Sequence, residues 1–364
     1  MAPGVPHGGN VLRMALDHDL RPDSILDFSA NVNPRGLPEC ARERLQQAST
    51  DPPYWQEYPD QDYTALRSAL ALKHTLPVES ILVGAGAVAL LSAAMQALRP
   101  SRCLVPIPSF SEYAHFCACV GAKVDELVLR EEDDFRIDSA VLSARLGGHH
   151  DCLVLTNPHN PSGALLIKEE VLAFLKSAQA QGVFVIVDEA FIGYAPDESV
   201  VQYAARQPNV AVVRSLTKFY GCPGLRVGFL VAAPETVARI APSVPTWSVT
   251  ALAAATVEEA LRDEAYVLET LQSNSTQRAS LVASLSALGA EVFPSSANFV
   301  LVRLQRGWPD SSATRELLLR HRGIAVRDCN SYTGLQPGKF IRVAVRTAAE
   351  NQQLLEGLRE IWKK

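Results

Sequence analysis

The chain has 364 residues, 48% of them hydrophobic and 20% charged, with a formal net charge of −5. That length suits one large domain plus a smaller one. The acidic balance argues against a nucleic-acid partner, which favours a basic face, and no apolar run reaches the ~18 residues that mark a membrane span.

Met1 to Asn10 lacks the basic-then-apolar pattern of a secretory signal. The seven cysteines, Cys40, Cys103, Cys117, Cys119, Cys152, Cys222 and Cys329, are scattered and odd in number. Cys117 and Cys119 alone lie close in sequence, too close for the usual zinc knuckle. We expect reduced thiols in a cytoplasmic protein, and no metal.

In chain order, Ile81 to Val83 reads as a short strand closing on Gly84-Ala85-Gly86, and the alanine-rich Val88 to Leu98 as a helix. Cys103 to Val105 is a strand ending at Pro106 and Pro108. Cys152 to Thr156 is another, ending at Asn157-Pro158-His159-Asn160-Pro161-Ser162-Gly163. Glu169 to Ala180 follows as a helix, then strands at Val183 to Val187, Val210 to Val213 and Val227 to Ala232. Short apolar runs separated by helices predict an α/β fold with a mostly parallel sheet covered on both faces. Ligands of such sheets bind beyond the carboxyl ends of the strands, where Gly84, Pro108, Asn157, Asp188 and Ser215 all fall.

After Pro245 the pattern changes. Ser248 to about Leu288 reads as helix with a break near Ser273 to Ser275. Strands at Phe299 to Leu304, Ile324 to Val326 and Phe340 to Val345 alternate with helices at Ser312 to Arg320 and from Ala349 onward. This predicts a smaller α+β domain.

The residues at the strand ends carry the chemistry. Lys218 sits in the hydroxyl-rich turn Arg214-Ser215-Leu216-Thr217-Lys218-Phe219-Tyr220. A lysine amine condenses with an aldehyde, and Ser215, Thr217 and Arg226 suit a phosphate beside it. An aldehyde and a phosphate on one small molecule describe pyridoxal 5′-phosphate (PLP). The same segment also suits a surface lysine after a strand. Asp188 can pair with a protonated pyridine nitrogen or cap a helix. Asn157 can donate to a phenolate oxygen or shape an Asn-Pro turn. Phe110 can stack on a flat ring or pack in the core. Gly84 and Gly86 let backbone N–H groups meet a phosphate at a helix start, though a lone Gly-x-Gly is weak.

The order glycines, aromatic, asparagine, aspartate, lysine, arginine resembles fold-type I PLP enzymes, the class I/II aminotransferase superfamily and its histidinol-phosphate aminotransferase branch. The resemblance spans nearly the whole chain and implies an arm over 1–45, a large PLP-binding domain over 46–245 and a small domain over 246–364. It implies that Lys218 bonds the cofactor aldehyde, that Asp188 pairs with the ring nitrogen and that Asn157 bonds the ring oxygen. Phe110 would stack, and Gly86, Ala87, Ser215, Thr217 and Arg226 would hold the phosphate. Tyr58, in Tyr58-Pro59-Asp60, matches a tyrosine that reaches the neighbouring subunit's cofactor, which implies a homodimer.

Longer strings are similar to the threonine-phosphate decarboxylase branch of cobalamin biosynthesis. These are His7-Gly8-Gly9-Asn10, Leu26 to Pro34, Pro245-x-Trp247-Ser248-Val249, Arg327 to Leu335, and Arg342-Val343-Ala344-Val345-Arg346. The implied substrate is a small phosphorylated amino acid bound by His7, Gly8, Asn31, Asn157, Arg327 and Arg342. The implied reaction turns O-phospho-L-threonine into (R)-1-aminopropan-2-yl phosphate; histidinol-phosphate transamination and O-phospho-L-serine decarboxylation are the alternatives. The chain departs from the family at Ala85 and Ala87, where an asparagine and an acidic residue are usual nearby, and at Phe191, where many aminotransferases have tyrosine.

Overall fold

An apolar run must be covered on every face it exposes, and the runs of this chain assemble accordingly. The structure, a computed structural model, describes residues 8–146 and 148–362. The strands, in order, are β1 Leu26–Asp27, β2 Ile81–Gly84, β3 Arg102–Ile107, β4 Lys123–Val128, β5 Cys152–Thr156, β6 Phe184–Asp188 and β7 Val210–Ser215. There follow β8 Gly228–Ala232, β9 Glu291–Val292, β10 Phe299–Arg303, β11 Ile324–Ala325, β12 Arg327–Asp328 and β13 Phe340–Ala344.

Seven strands form the main sheet in the order β2-β8-β7-β6-β5-β3-β4. The pairs from β7 to β4 are parallel, whereas β8 runs antiparallel to both β7 and β2. Side chains alternate between two cores: Leu153, Leu155, Val185 and Val187 face one, and Val154, Ile186, Ala211 and Val213 the other. The period of two along buried strands requires such a split, and each buried large apolar side chain contributes roughly 1.5–3 kcal/mol. Register sets Thr156 beside Asp188 and Asp188 beside Val213, so the polar residues at the strand ends are neighbours.

A second, antiparallel sheet has the order β12-β13-β10-β9. It packs against the helices Ser311–Arg322 and Ala348–Trp362 through a core that includes Val300, Ile341, Val343, Leu318 and Leu358. The pair β1 and β11 is parallel and brings the N-terminal segment to this unit, where Phe28 joins its core.

Two expectations change. The helical stretch does not break at Ser273 to Ser275: Glu264–Ala287 is one helix, because serine inside a helix is only mildly unfavourable. The break falls at Asp263, between Ala251–Arg262 and Glu264–Ala287. There the Asp263 carboxylate accepts from Tyr266 N at 2.9 Å and caps the second helix. The edge strand β4 was not foreseen, because its polar Lys123, Asp125 and Glu126 carry no buried run. All seven cysteines are free, and among the described residues no helix is long and apolar enough to cross a membrane.

Replacing Asp263 by alanine removes the cap of a 24-residue helix. We expect a loss of about 1 kcal/mol, read as a lower urea midpoint with an unchanged slope. An unshifted midpoint would mean that the cap contributes nothing.

Candidate active site

The carboxyl ends of β5, β6 and β7 open onto one cavity of about 220 Å³. Thr156, Asp188 and Ser215 reach it from those three strands, Phe110 from the loop after β3, and Arg327 and Arg342 from the second sheet.

Asp188 is buried. Tyr113 donates to its Oδ2 at 2.6 Å and Ala190 N to its Oδ1 at 2.9 Å. Burial pushes its carboxyl above the ordinary value, while these two donors and the Lys218 charge pull it back. Lys218 lies one turn after β7, within the short helix Leu216–Phe219. Burial, then the charges of Arg342 and Arg226, lower its pKa to about 8. Desolvation disfavours the charged amine and like charges add to it, so the amine stays mostly charged at neutral pH but loses its proton far more readily than a free lysine.

Opposite, the helix Ala87–Leu98 begins at Gly86 with no side-chain cap, leaving its first N–H groups for another acceptor. Gly86 has φ +83°, and a Cβ there would lie 2.8 Å from Arg226 Nη2. Gly228 on β8 is equally constrained, since its Cβ would lie 2.7 Å from Ala87 N. Both glycines therefore let helix, strand and arginine close on one point. The Ser215 and Thr217 hydroxyls, 2.8 Å apart, line the same corner.

On the far side, Arg327 and Arg342 are direct cross-strand partners on β12 and β13. Both are buried, and like charges placed directly opposite are destabilising. Their protein partners are neutral. Arg327 Nη2 donates to Ser331 Oγ at 2.6 Å. Arg342 Nη1 donates to Asn160 Oδ1 at 2.5 Å and to the Tyr332 hydroxyl at 2.9 Å, and Nη2 to Ser29 O at 3.2 Å. Arg226 Nη1 donates to Pro223 O at 3.0 Å. Among the described residues no carboxylate forms an ion pair with Lys218, Arg226, Arg327 or Arg342, and Asp188 is the one acidic side chain lining the cavity.

The structure brings Gly8, Asn31, Ala87, Phe110, Asp188, Ser215, Thr217, Lys218, Arg226, Arg327 and Arg342 to the cavity wall. Gly86 stands just behind it. Asn31 is buried with its Oδ1 unpartnered. Gly8 packs on Ser29, whose carbonyl O would lie 2.2 Å from a Cβ at that position. His7 lies outside the described residues.

Asn157 is a correction. Its amide is engaged with Leu166, donating to that O at 3.0 Å and accepting from that N at 2.9 Å, so it braces the turn, and it does not line the cavity. The asparagine that lines the cavity is Asn160. The second Asn-Pro step of the same string was the available signal. Tyr58 does not line the cavity of its own chain either; it is 79% exposed and stacks on Trp247 at 4.4 Å. Sequence reasoning missed Tyr113, Thr156 and Tyr332, because buried tyrosines and threonines look like ordinary core.

These residues fit PLP. An uncapped helix start with two hydroxyls and Arg226 suits a phosphate. A buried, twice-bonded carboxylate suits a ring nitrogen, and a lysine of lowered pKa suits an aldehyde. On the other side, Arg342 Nε and Asn31 Oδ1 are buried without a protein partner.

The family model for aminotransferase class I and II matches residues 23–358. The threonine-phosphate decarboxylase of Salmonella typhimurium is 37% identical over 358 residues, covering 98% of this chain and 96% of that protein. The histidinol-phosphate aminotransferase of Methanococcus aeolicus is 28% identical over 354 residues, covering 96% and 93%. The crystal structure of L-threonine-O-3-phosphate decarboxylase from Porphyromonas gingivalis superimposes with a TM-score of 0.81 at 27% identity, covering 93% and 99%.

The lowered lysine pKa can be read without any cofactor. Reductive methylation of Lys218 by formaldehyde and cyanoborohydride, followed by mass spectrometry, should reach half its maximal rate near pH 8 instead of the 10.5 of a free lysine. Arg342→Ala should move that midpoint up, because a like charge is removed; Asp188→Asn should move it down, because a carboxylate that favours the ammonium is lost. A midpoint near that of free lysine, unmoved by either change, would refute the electrostatic picture.

Proposed function

We infer, from the premise that the chain belongs to the aminotransferase class I and II family, that it is a PLP-dependent decarboxylase acting on O-phospho-L-threonine. The product is (R)-1-aminopropan-2-yl phosphate, and the pathway is cobalamin biosynthesis. The observation that carries this reading is the charge of the cavity: four cations, Lys218, Arg226, Arg327 and Arg342, against the single carboxylate of Asp188. One phosphate, that of the cofactor, accounts for Arg226 and the helix start. The buried pair Arg327 and Arg342 calls for a further polyanion, and a phosphorylated amino acid supplies both a phosphate and a carboxylate. The greater identity to the decarboxylase than to the aminotransferase points the same way.

When bound, the cofactor supplies an aldehyde for the amine and a ring that takes up the electron pair of the broken bond. Ser215, Thr217, Arg226 and the N–H groups after Gly86 hold its phosphate. Asp188 would keep the ring nitrogen protonated, Phe110 would stack on the ring and Asn160 would bond the ring oxygen. Arg327, Arg342, Asn31, Gly8 and His7 hold the substrate's anionic groups, and anchoring by phosphate frees the carboxylate to be oriented for loss. Such anchoring converts binding into orientation. Lys218, with its lowered pKa, would deliver to Cα the proton that takes the place of the lost carboxylate.

The same reading gives a cytoplasmic homodimer. Tyr58 and Trp247 form an exposed aromatic pair, and a partner subunit's cavity is the destination that the family resemblance gives Tyr58.

Incubation with O-phosphothreonine should release CO2 without any 2-oxo acid. Glutamate formation from histidinol phosphate and 2-oxoglutarate, with no CO2 from O-phosphothreonine, would establish the aminotransferase instead. O-Phosphoserine should be turned over less well, since one methyl is worth only ~1–3 kcal/mol in a pocket.

Mixing inactive Lys218→Ala with an inactive Tyr58→Ala variant should restore part of the activity through hybrid dimers. A monomeric, fully active protein in sedimentation would rule that arrangement out.

A further inference from the structure

Arg342 is held from three separate parts of the chain. Asn160 comes from the turn after β5, Tyr332 from the loop after β12, and Ser29 from the segment after β1. Its guanidinium lies over the Phe299 ring at 5.2 Å. A guanidinium has five N–H donors in a fixed plane. Both Nη1 protons are taken, one by Asn160 Oδ1 and one by the Tyr332 hydroxyl, and one Nη2 proton goes to Ser29 O. The donors left are one Nη2–H and Nε–H; Nε is buried with no protein partner.

Tyr332 is the joint of this arrangement. Its hydroxyl accepts from Arg342 at 2.9 Å and donates to Asn160 Oδ1 at 3.2 Å. Its ring lies under the guanidinium of Arg327, whose Cζ is 5.4 Å from the centroid. One buried side chain thus touches both cations of the second sheet and an asparagine of the first. Its loop is pinned against the main sheet at Gly334, where φ is +92° and a Cβ would lie 3.2 Å from Pro108 N.

We propose that the Tyr332 hydroxyl is a positioning group that fixes which edge of Arg342 receives the substrate anion, and so sets the orientation in which the substrate reacts. This rests on the decarboxylase reading for the identity of the substrate but not for its own test. Phenylalanine at 332 keeps the ring beneath Arg327 and the charge of Arg342, and removes one hydroxyl, both the acceptor for Arg342 Nη1 and the donor to Asn160 Oδ1. Arg342 then has a freed Nη1 donor and can turn. Attraction survives and orientation does not.

The experiment compares wild type, Tyr332→Phe and Tyr332→Gln as holoenzymes. In Tyr332→Phe, the visible absorbance of the cofactor and the thermal midpoint should match wild type. Its kcat per bound cofactor should fall about tenfold or more, a size in keeping with small misplacements of a reacting group, while KM changes by less than about threefold, since binding and orientation are separate contributions. Glutamine keeps a hydrogen-bonding group and loses the ring, so its kcat should lie above that of Tyr332→Phe even if its thermal midpoint lies below. A packing role predicts the reverse order. A Tyr332→Phe kcat within twofold of wild type, or an effect confined to KM, overturns the proposal. If wild type gives no CO2 but forms glutamate, the decarboxylase reading fails, and the same three proteins are ranked on that reaction with the same criterion for Tyr332.

Discussion

Unpaired positive charge in a buried cleft is the constraint around which this molecule is arranged. Arg327 and Arg342 face each other across β12 and β13, a placement that costs stability through desolvation and repulsion. A carboxylate between them would relieve that cost and abolish the site. The chain supplies neutral acceptors instead, a serine hydroxyl, an asparagine carbonyl, a tyrosine hydroxyl and a backbone carbonyl. They satisfy hydrogen bonds without cancelling the field, so the attraction for an anion remains available in a medium where it is strong.

The fold delivers the opposing half of the site through sheet register. Because β5, β6 and β7 run parallel, their carboxyl ends present Thr156 beside Asp188, with Ser215 two residues beyond Val213, the partner of Asp188 on β7. The antiparallel β8 then brings Gly228 against the start of the helix Ala87–Leu98. His159 secures the neighbouring turn. Its Nε2 faces Pro108 O at 2.8 Å and its Nδ1 faces Ser162 Oγ at 2.7 Å. Burial lowers its pKa to about 4. A neutral imidazole donating to one and accepting from the other fits both contacts, tying the Phe110 loop to the turn that carries Asn160 without adding a charge.

Much of this was legible from sequence, and the reasons are local. Short apolar runs ending in a polar residue gave β5, β6 and β7 and placed Asp188 and Lys218 where the cavity lies. The edge strand β4 escaped because an edge buries little and needs no apolar run. The helix breaks at Asp263 and not near Ser273 to Ser275, because the capping carboxylate of Asp263 decides it. Asn157 and Asn160 could not be separated by residue type. What separates them is that the first is consumed by Leu166, a pairing between residues nine apart that depends on the path of the loop. The tyrosines escaped for a related reason: Tyr113 and Tyr332 matter through one hydroxyl each, and nothing in the sequence says where a buried hydroxyl points.

The same field that receives an anion also tunes the lysine. Arg342 and Arg226 depress Lys218 in addition to burial, the largest cause. An anionic ligand seated on either arginine must weaken that depression, because it offsets the charge that causes it. Lys218 is therefore a weaker base when the cavity is empty of anions and a stronger one when it is filled. Emptying the cavity of anions shifts Lys218 toward the neutral amine, and filling it shifts Lys218 toward the ammonium. The proton affinity of this one side chain is set by two of the arginines that give the cavity its charge.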